Sequence, residues 1–186
     1  MKKNSKFFLI FYPVLVFLLL FTWYSIDNSI ERPDIAIDIF PDPITEITLT
    51  TIVDSVSKEN IFNVMTDVTL YPKILPKNIL NITIIDQTAD TIIAEEEFNE
   101  NIFTVKLLAK HYFEPYEKHT IEILTGDAKG TFIEQNFEEF GNSTKINTRI
   151  NFKLDGPLKA ITFLPKNLLT HAMNTVVDSF VFYATI

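Results

Sequence analysis

The residues able to do chemistry are few. Three histidines, His111, His119 and His171, are the whole supply, and there is no cysteine, which excludes disulfides, thiolate chemistry and cysteine-based zinc sites. His111 falls in a run where Phe103, Val105, Leu107, Ala109, His111 and Phe113 alternate with polar neighbours such as Thr104, Lys106 and Lys110. Alternate side chains of a strand point to opposite faces, so His111 belongs to the apolar face. The same parity turns His119 inward with Ile121 and Ile123, Gln135 with Ile133 and Phe137, and Thr148 with Ile146 and Ile150. Matching residues across the turns sets Phe113 opposite His119 and His111 opposite Ile121, with the two histidines diagonal at about 7 Å. Pairing Ile121 with Gln135 and Gln135 with Thr148 then gives one inward row: His111, Ile121, Gln135, Thr148. Such a rung in an apolar pocket would orient a carbonyl or quinone-like oxygen. The competing reading is that each polar group is satisfied by its neighbours or sits at the sheet rim.

Glu96 shares the inward parity of Ile92, Ala94 and Phe98, and a carboxylate–histidine pair would be the signal of an enzyme. A tight turn at residues 99–101 sets Glu96 against Val105, six residues from His111, or about 20 Å along the strand. No acid–base pair is expected on that register. The Glu95-Glu96-Glu97 run reads as a solvated strand with one carboxylate at the rim. His171 stands alone on a helix, so a zinc or iron site is not expected, and nothing resembles a nucleophile elbow or a Ser-His-Asp set. With four glycines, at positions 126, 130, 141 and 156, there is no phosphate-cradling loop. All four fall where turns belong. No cofactor is expected.

The elements that must position these side chains are legible as patterns. Residues 47–53 alternate as a strand, Ser57 caps a helix with Glu59 in its first turn, and Ile61, Phe62, Met65 and Val68 line that helix. A short helical turn lies between Pro72 and Pro76. Six strand-like runs follow in hairpin succession: residues 79–86, 91–98, 103–113, 118–125, 131–139 and 144–154. The last twenty residues, 167–186, carry apolar pairs one helical turn apart: Leu168 and Leu169, Ala172 and Met173, Val176 and Val177, Phe180 and Val181, then Ala184. This double-width stripe requires a concave partner, and the sheet is the one on offer. Residues 168–173 would pack on the sheet, leaving residues 176–183, with Phe180, Phe182 and Tyr183, to roof a pocket.

At 186 residues with a formal net charge of -8, the chain is one ordinary domain and unsuited to nucleic acid. Lys2, Lys3 and Lys6 precede an uncharged run at residues 7–24, about 27 Å long as a helix and close to a bilayer core of about 30 Å. Trp23 and Tyr24 end it as interfacial anchors. The expected organisation is a cytoplasmic basic tip at residues 1–6, a single-pass signal anchor at 7–24, an acidic Pro-containing tether at 25–43, and a domain at 44–186 outside the cytoplasm. A cleaved signal peptide competes with the anchor, but no small-x-small cleavage site follows. Two sequons, at Asn81 and Asn142, would matter on that side of the membrane; Asn142, in an expected turn, is the better candidate.

The segment VDSVSKENIFNVMTDVTLYPKILPKNILNITIID resembles the opening of the START-like superfamily (helix-grip, Bet v 1-like, SRPBCC), in its polyketide cyclase and coenzyme Q-binding branches. The matching residues are Ser57, Ile61, Phe62, Val64, Asp67, Tyr71, Pro72, Leu75 and Pro76. The resemblance implies an α+β helix-grip fold, β-α-α-β6-α, with a curved antiparallel sheet wrapped around a long C-terminal helix. It also implies a ligand pocket between them. The function expected from these readings is membrane-anchored, non-catalytic binding of a hydrophobic small molecule (lipid, isoprenoid or quinone-like). Its expected contacts are His111, His119, Ile121, Gln135, Thr148, Phe137, Phe180 and Tyr183. Two alternatives stay open: a cyclase- or dehydratase-type enzyme using His111 or Glu96, and an interaction domain with a collapsed core.

Overall fold

The computed structural model describes residues 43–99 and 104–185. The expected basic tip, membrane helix and tether up to residue 42 lie outside the described residues. Among the described residues, no helix is long and apolar enough to cross a membrane.

Strand β1 (Glu46–Asp54) buries Ile47, Leu49 and Val53 on one face and presents Glu46, Thr48 and Thr50 on the other. Helix α1 (Lys58–Thr66) starts where the sequence says it should, because Ser57 Oγ accepts the Asn60 N–H at 3.2 Å and satisfies a donor the helix cannot. Its apolar face, Ile61, Phe62 and Met65, is buried. Asp67 then accepts the Thr69 N–H at 3.0 Å and opens a 3-10 turn that runs into the one-turn helix α2 (Tyr71–Ile74), with Pro72 near its start.

Six strands follow: β2 (Ile79–Gln87), β3 (Thr91–Asn99), β4 (Thr104–Glu114), β5 (Lys118–Ile123), β6 (Phe132–Phe140) and β7 (Ser143–Asn151). They form one seven-stranded antiparallel sheet in the order β1-β7-β6-β5-β4-β3-β2. Each hairpin partner is its sequence neighbour, and the first strand closes onto the last. The β6–β7 connection is the two-residue loop Gly141-Asn142 between paired Phe140 and Ser143. Gly141 takes φ 64, as the first position of a primed hairpin turn demands. The four glycines all adopt positive φ in turns. The expected β-α-α-β6-α order is therefore the observed one.

The last helix, α3 (Lys166–Thr185), packs on α1 and β1. Its buried positions are Leu169, Val177 and Phe180, spaced by eight and three residues as one helical face requires. Leu169 joins Ile47 and Leu49 in a small core at one end. Phe180 joins the main core, with Ile61, Phe62, Met65, Tyr71, Ile79, Ala94, Phe137 and Ile146.

The stripe is narrower than its sequence suggests. Leu168 is 50% exposed, Ala172 is exposed and Phe182 is 67% exposed, so half of each apolar pair in the first two turns faces away from the sheet. A single helix face can meet one concave surface; the second residue of a pair, rotated by about 100°, has nothing to meet. Leu169→Ala should therefore lower stability by about 3 kcal/mol, while Leu168→Ala should change it by less than about 1 kcal/mol. Urea unfolding midpoints of the two variants check this, and equal losses would refute the assignment of the buried face.

Candidate functional site

On the inward face of β3, β4, β5 and β6 lies a continuous chain of polar side chains. Glu96 Oε1 is 3.0 Å from His111 Nε2. His111 Nδ1 is 3.0 Å from His119 Nε2, and His119 Nδ1 is 2.9 Å from Gln135 Oε1. Both imidazoles are fully buried, with Glu96 at 4% and Gln135 at 8% exposure. Apolar and aromatic groups surround them. Phe113 stacks on His111 and on His119, the two imidazoles stack on each other with centroids 5.3 Å apart, and Tyr71 meets His111 edge-on at 6.1 Å. Phe180 of α3 in turn meets Tyr71 edge-on at 5.1 Å, so α2 and α3 close over the chain. Tyr71 is itself tied down by donating its hydroxyl to the Met65 carbonyl at 2.9 Å. Burial, followed by the charge of Glu96, pushes its phenol well above the usual 10.0, which keeps that hydroxyl a donor.

The tautomers follow the partners. With Gln135 presenting its carbonyl oxygen, His119 donates from Nδ1 and accepts at Nε2, and His111 donates to it from Nδ1. His111 Nε2 then faces the Glu96 carboxyl. No buried side-chain nitrogen or oxygen among the described residues lacks a partner, and that satisfaction is what makes four polar groups tolerable in an apolar interior.

The Glu96–His111 contact overturns the expected separation of about 20 Å. Glu96 pairs with Leu107, and Val105 pairs with Phe98, because the ladder already holds Asn99 opposite Thr104, a register two residues from the expected one. His111 is thus four residues from Leu107, not six from Val105. The residues between, Ala94 and Ala109, face each other across the ladder and are fully buried. Their small side chains let Glu96 and His111 lean together on the concave side. Glu96 is accordingly a buried member of the site and not a rim carboxylate. Glu95 and Glu97 are on the outer face, where Lys106 lies 3.4 and 3.3 Å from them.

A second register differs as well. His119, not Ile121, pairs with Gln135, and Ile121 pairs with Ile133, since the connection pivots on the 3-10 turn Gly126–Ala128. The expected pairs Phe113–His119, His111–Ile121 and Gln135–Thr148 are present. Thr148 is buried across from Gln135, and Ile121 is half-buried beside His111. Phe137 belongs to the core, edge-on to Phe62 at 5.2 Å. Tyr183 lies at the outside, accepting a hydrogen bond from Lys73 Nζ at 2.8 Å, so it does not reach the polar chain. Phe182 faces outward and His171 is exposed. Among the described residues, no group of three or more His, Cys, Asp or Glu could hold a metal ion. Asn81 is exposed on the edge strand with its amide 3.2 Å from Thr83 Oγ1. Asn142 is exposed in its turn, but the Thr144 hydroxyl of that sequon is buried and donates to the Val56 carbonyl at 2.8 Å, which makes Asn81 the more accessible triplet in the folded chain. The residues missed as site members are Glu96 and Tyr71. The alanines at 94 and 109 were the signal for the first.

His119 is pushed down from 6.5 to about 3, by burial first and by the neighbouring His111 second, against the opposing hydrogen bond to Gln135. The folded state therefore binds fewer protons than the unfolded state between those values, so stability rises with pH across that window and is lost as pH falls from 6.5 towards about 3. Imidazole NMR should show His119 neutral at pH about 5, where an ordinary histidine is charged. The acid slope of the urea midpoint should flatten in a His119→Gln variant. A His119 titrating near its ordinary value would refute the buried, neutral assignment.

No family model matches the chain, and no curated protein matches it. Solved structures do match. A protein of Thermus thermophilus superposes with a TM-score of 0.63 at 11% identity, over 75% of this chain and 97% of its own. A START superfamily protein of Mycobacterium smegmatis gives 0.61 at 13% identity, over 75% and 97%. The Zhui aromatase/cyclase of a Streptomyces species gives 0.59 at 11% identity, over 75% and 93%. At such identities the likeness concerns architecture: a curved seven-stranded antiparallel sheet, two short helices after the first strand, and a long last helix laid across the concave side. This chain has the START-like, polyketide cyclase-like helix-grip fold.

Proposed function

We propose that the domain binds a hydrophobic small molecule (lipid, isoprenoid or quinone-like) between the concave sheet and α3, and does not convert it. The observation that carries this reading is the Glu96–His111–His119–Gln135 chain, held on the one face of a helix-grip sheet that α2 and α3 cover. A purely structural core would fill this position with aliphatic side chains at lower desolvation cost. A preorganised row of hydrogen-bonding groups in apolar surroundings is what orients the single oxygen of an otherwise apolar ligand. The clefts of about 420, 340 and 450 Å³ described on this domain are lined by other residues. Reaching the polar chain therefore requires its aromatic cover, Tyr71 with Phe180 or Phe113, to move aside.

A second reading is favoured by one observation. The 3.0 Å contact between Glu96 and His111 is the titratable pair within hydrogen-bond reach that an acid–base enzyme needs. One of the structures sharing the fold is an aromatase/cyclase, which supports cyclase- or dehydratase-type chemistry as the alternative.

The proposal further places the domain at a membrane, on the extracytoplasmic side, with residues 7–24 as the anchor. The support is the uncharged run behind three lysines. Such a tether would keep the pocket beside a source of apolar ligands.

Organic extraction of the purified full-length chain followed by mass spectrometry should recover an apolar compound in near-stoichiometric amount. Gln135→Ala should reduce its retention about fivefold, the worth of one hydrogen bond. Recovery of nothing, from a folded protein that also takes up no apolar probe, would instead favour an interaction domain with a packed interior. Turnover of a poly-β-keto thioester, abolished by Glu96→Gln, would replace the binding reading with the enzyme one. For the anchor, the chain should stay with membranes in alkaline carbonate and leave them when residues 7–24 are deleted. Soluble full-length chain would exclude it.

A further inference from the structure

We propose that the site selects electrically neutral ligands, such as an alcohol, ketone, quinone or ester, and rejects the anions of long-chain acids. This inference rests on the binding reading above and narrows its ligand class. Three observations carry it.

The first is the charge inventory of the interior. Among the described residues, no lysine or arginine is buried, and Glu96 is the single buried carboxyl group. Of the cations on β4 to β7, Lys106, Lys118, Lys145 and Arg149 pair with Glu95, Glu97, Glu134, Glu138 and Glu46 on the outer face, and Lys110 lies over the Tyr112 ring on that same face. A carboxylate drawn into the concave side would find no counter-ion there, and buried charges need one.

The second is the engagement of the polar chain. His111 Nε2 already faces Glu96 at 3.0 Å and its Nδ1 is engaged with His119, so neither nitrogen is free to meet a ligand anion. A carboxylate drawn beside this pair would lie against the acidic oxygens of Glu96 in a medium of low polarity. A neutral oxygen meets no such repulsion. It needs only to exchange a hydrogen bond with one end of the chain, and the ends are where residual exposure lies. Glu96 and Gln135 are 4% and 8% exposed, while the two histidines between them are sealed.

The third is the field outside. The formal net charge is -8, which slows the approach of an anion and leaves a neutral ligand unaffected.

Dodecanoic acid and its methyl ester separate the two classes, because they differ in one charge and share the chain. At pH about 8 the acid is fully ionised. Radiolabelled samples of each are offered to the full-length protein held in amphipol, with retention by protein-free particles subtracted. The ester should bind more than about tenfold tighter than the acid. In Glu96→Gln a neutral amide replaces the acidic group, so the ratio should fall by at least about threefold. Equal or tighter binding of the acid by the unaltered protein would overturn the selectivity while leaving the binding reading intact. Failure of both probes to bind would sink the binding reading itself. An unchanged ratio in a folded Glu96→Gln variant would overturn the part assigned to Glu96. Should that variant not fold, the comparison on the unaltered protein still decides.

Discussion

The hydrogen bond between Glu96 and His111 is the constraint to which the rest of the interior is fitted. Neither group is tolerable alone in this position, since a buried carboxyl or imidazole without a partner forfeits its hydration. Together they can be buried, because each supplies the other's hydrogen bond. His119 then completes the valence of His111, and Gln135 completes that of His119. The whole chain is satisfied from end to end, so removing one member strands the next.

Each structural element contributes to this arrangement in an identifiable way. Four adjacent strands supply one member each, and the inward parity of every strand is what sets them on the same face. Ala94 and Ala109 supply the absence of bulk that lets Glu96 and His111 meet. Ser57 fixes where α1 begins, and Asp67 fixes where it ends and the following 3-10 turn starts; this delivers Tyr71 onto His111. Helix α3 delivers Phe180 onto Tyr71. The outer face is left to ion pairs at partly exposed positions, such as Lys118 with Glu134 at 2.8 Å. These tune solubility and contribute little to stability. The molecule thus keeps its ion pairs of lysine and arginine outside and its hydrogen-bonded polar chain inside.

Much of the architecture was legible in the chain. Strand alternation, the cap at Ser57, the turn glycines and the amphipathic last helix gave the order of elements and the inward face of the strands that carry the site. The site was legible as a set of residues and not as a geometry. Both register errors, Glu96 against Val105 and Ile121 against Gln135, were slips of two residues. A slip of two preserves the face of every side chain, so hydrophobic patterning cannot detect it. It does change which inward residues are neighbours, and in a site built from neighbours that change decides the chemistry. The same limit applies to α3, where Leu168 and Leu169 are equivalent as hydrophobic residues and only the position of the sheet distinguishes them.

What the sequence determined by itself was composition-level and periodic: no thiol chemistry, a net negative charge, seven strands in order, the faces of those that carry the site, and a helix that must cover them. Local backbone preferences and the two periodicities of helix and strand suffice for that, because each is set by residues close together in the chain. What only the tertiary structure decided was that Glu96, far in sequence from His119 and Gln135, ends one continuous hydrogen-bonded chain with them. That outcome depends on loop lengths, on two alanines too small to intervene, and on the convergence of side chains on a concave surface. None of these is encoded in any one stretch of the chain. They arise when separate strands are brought side by side.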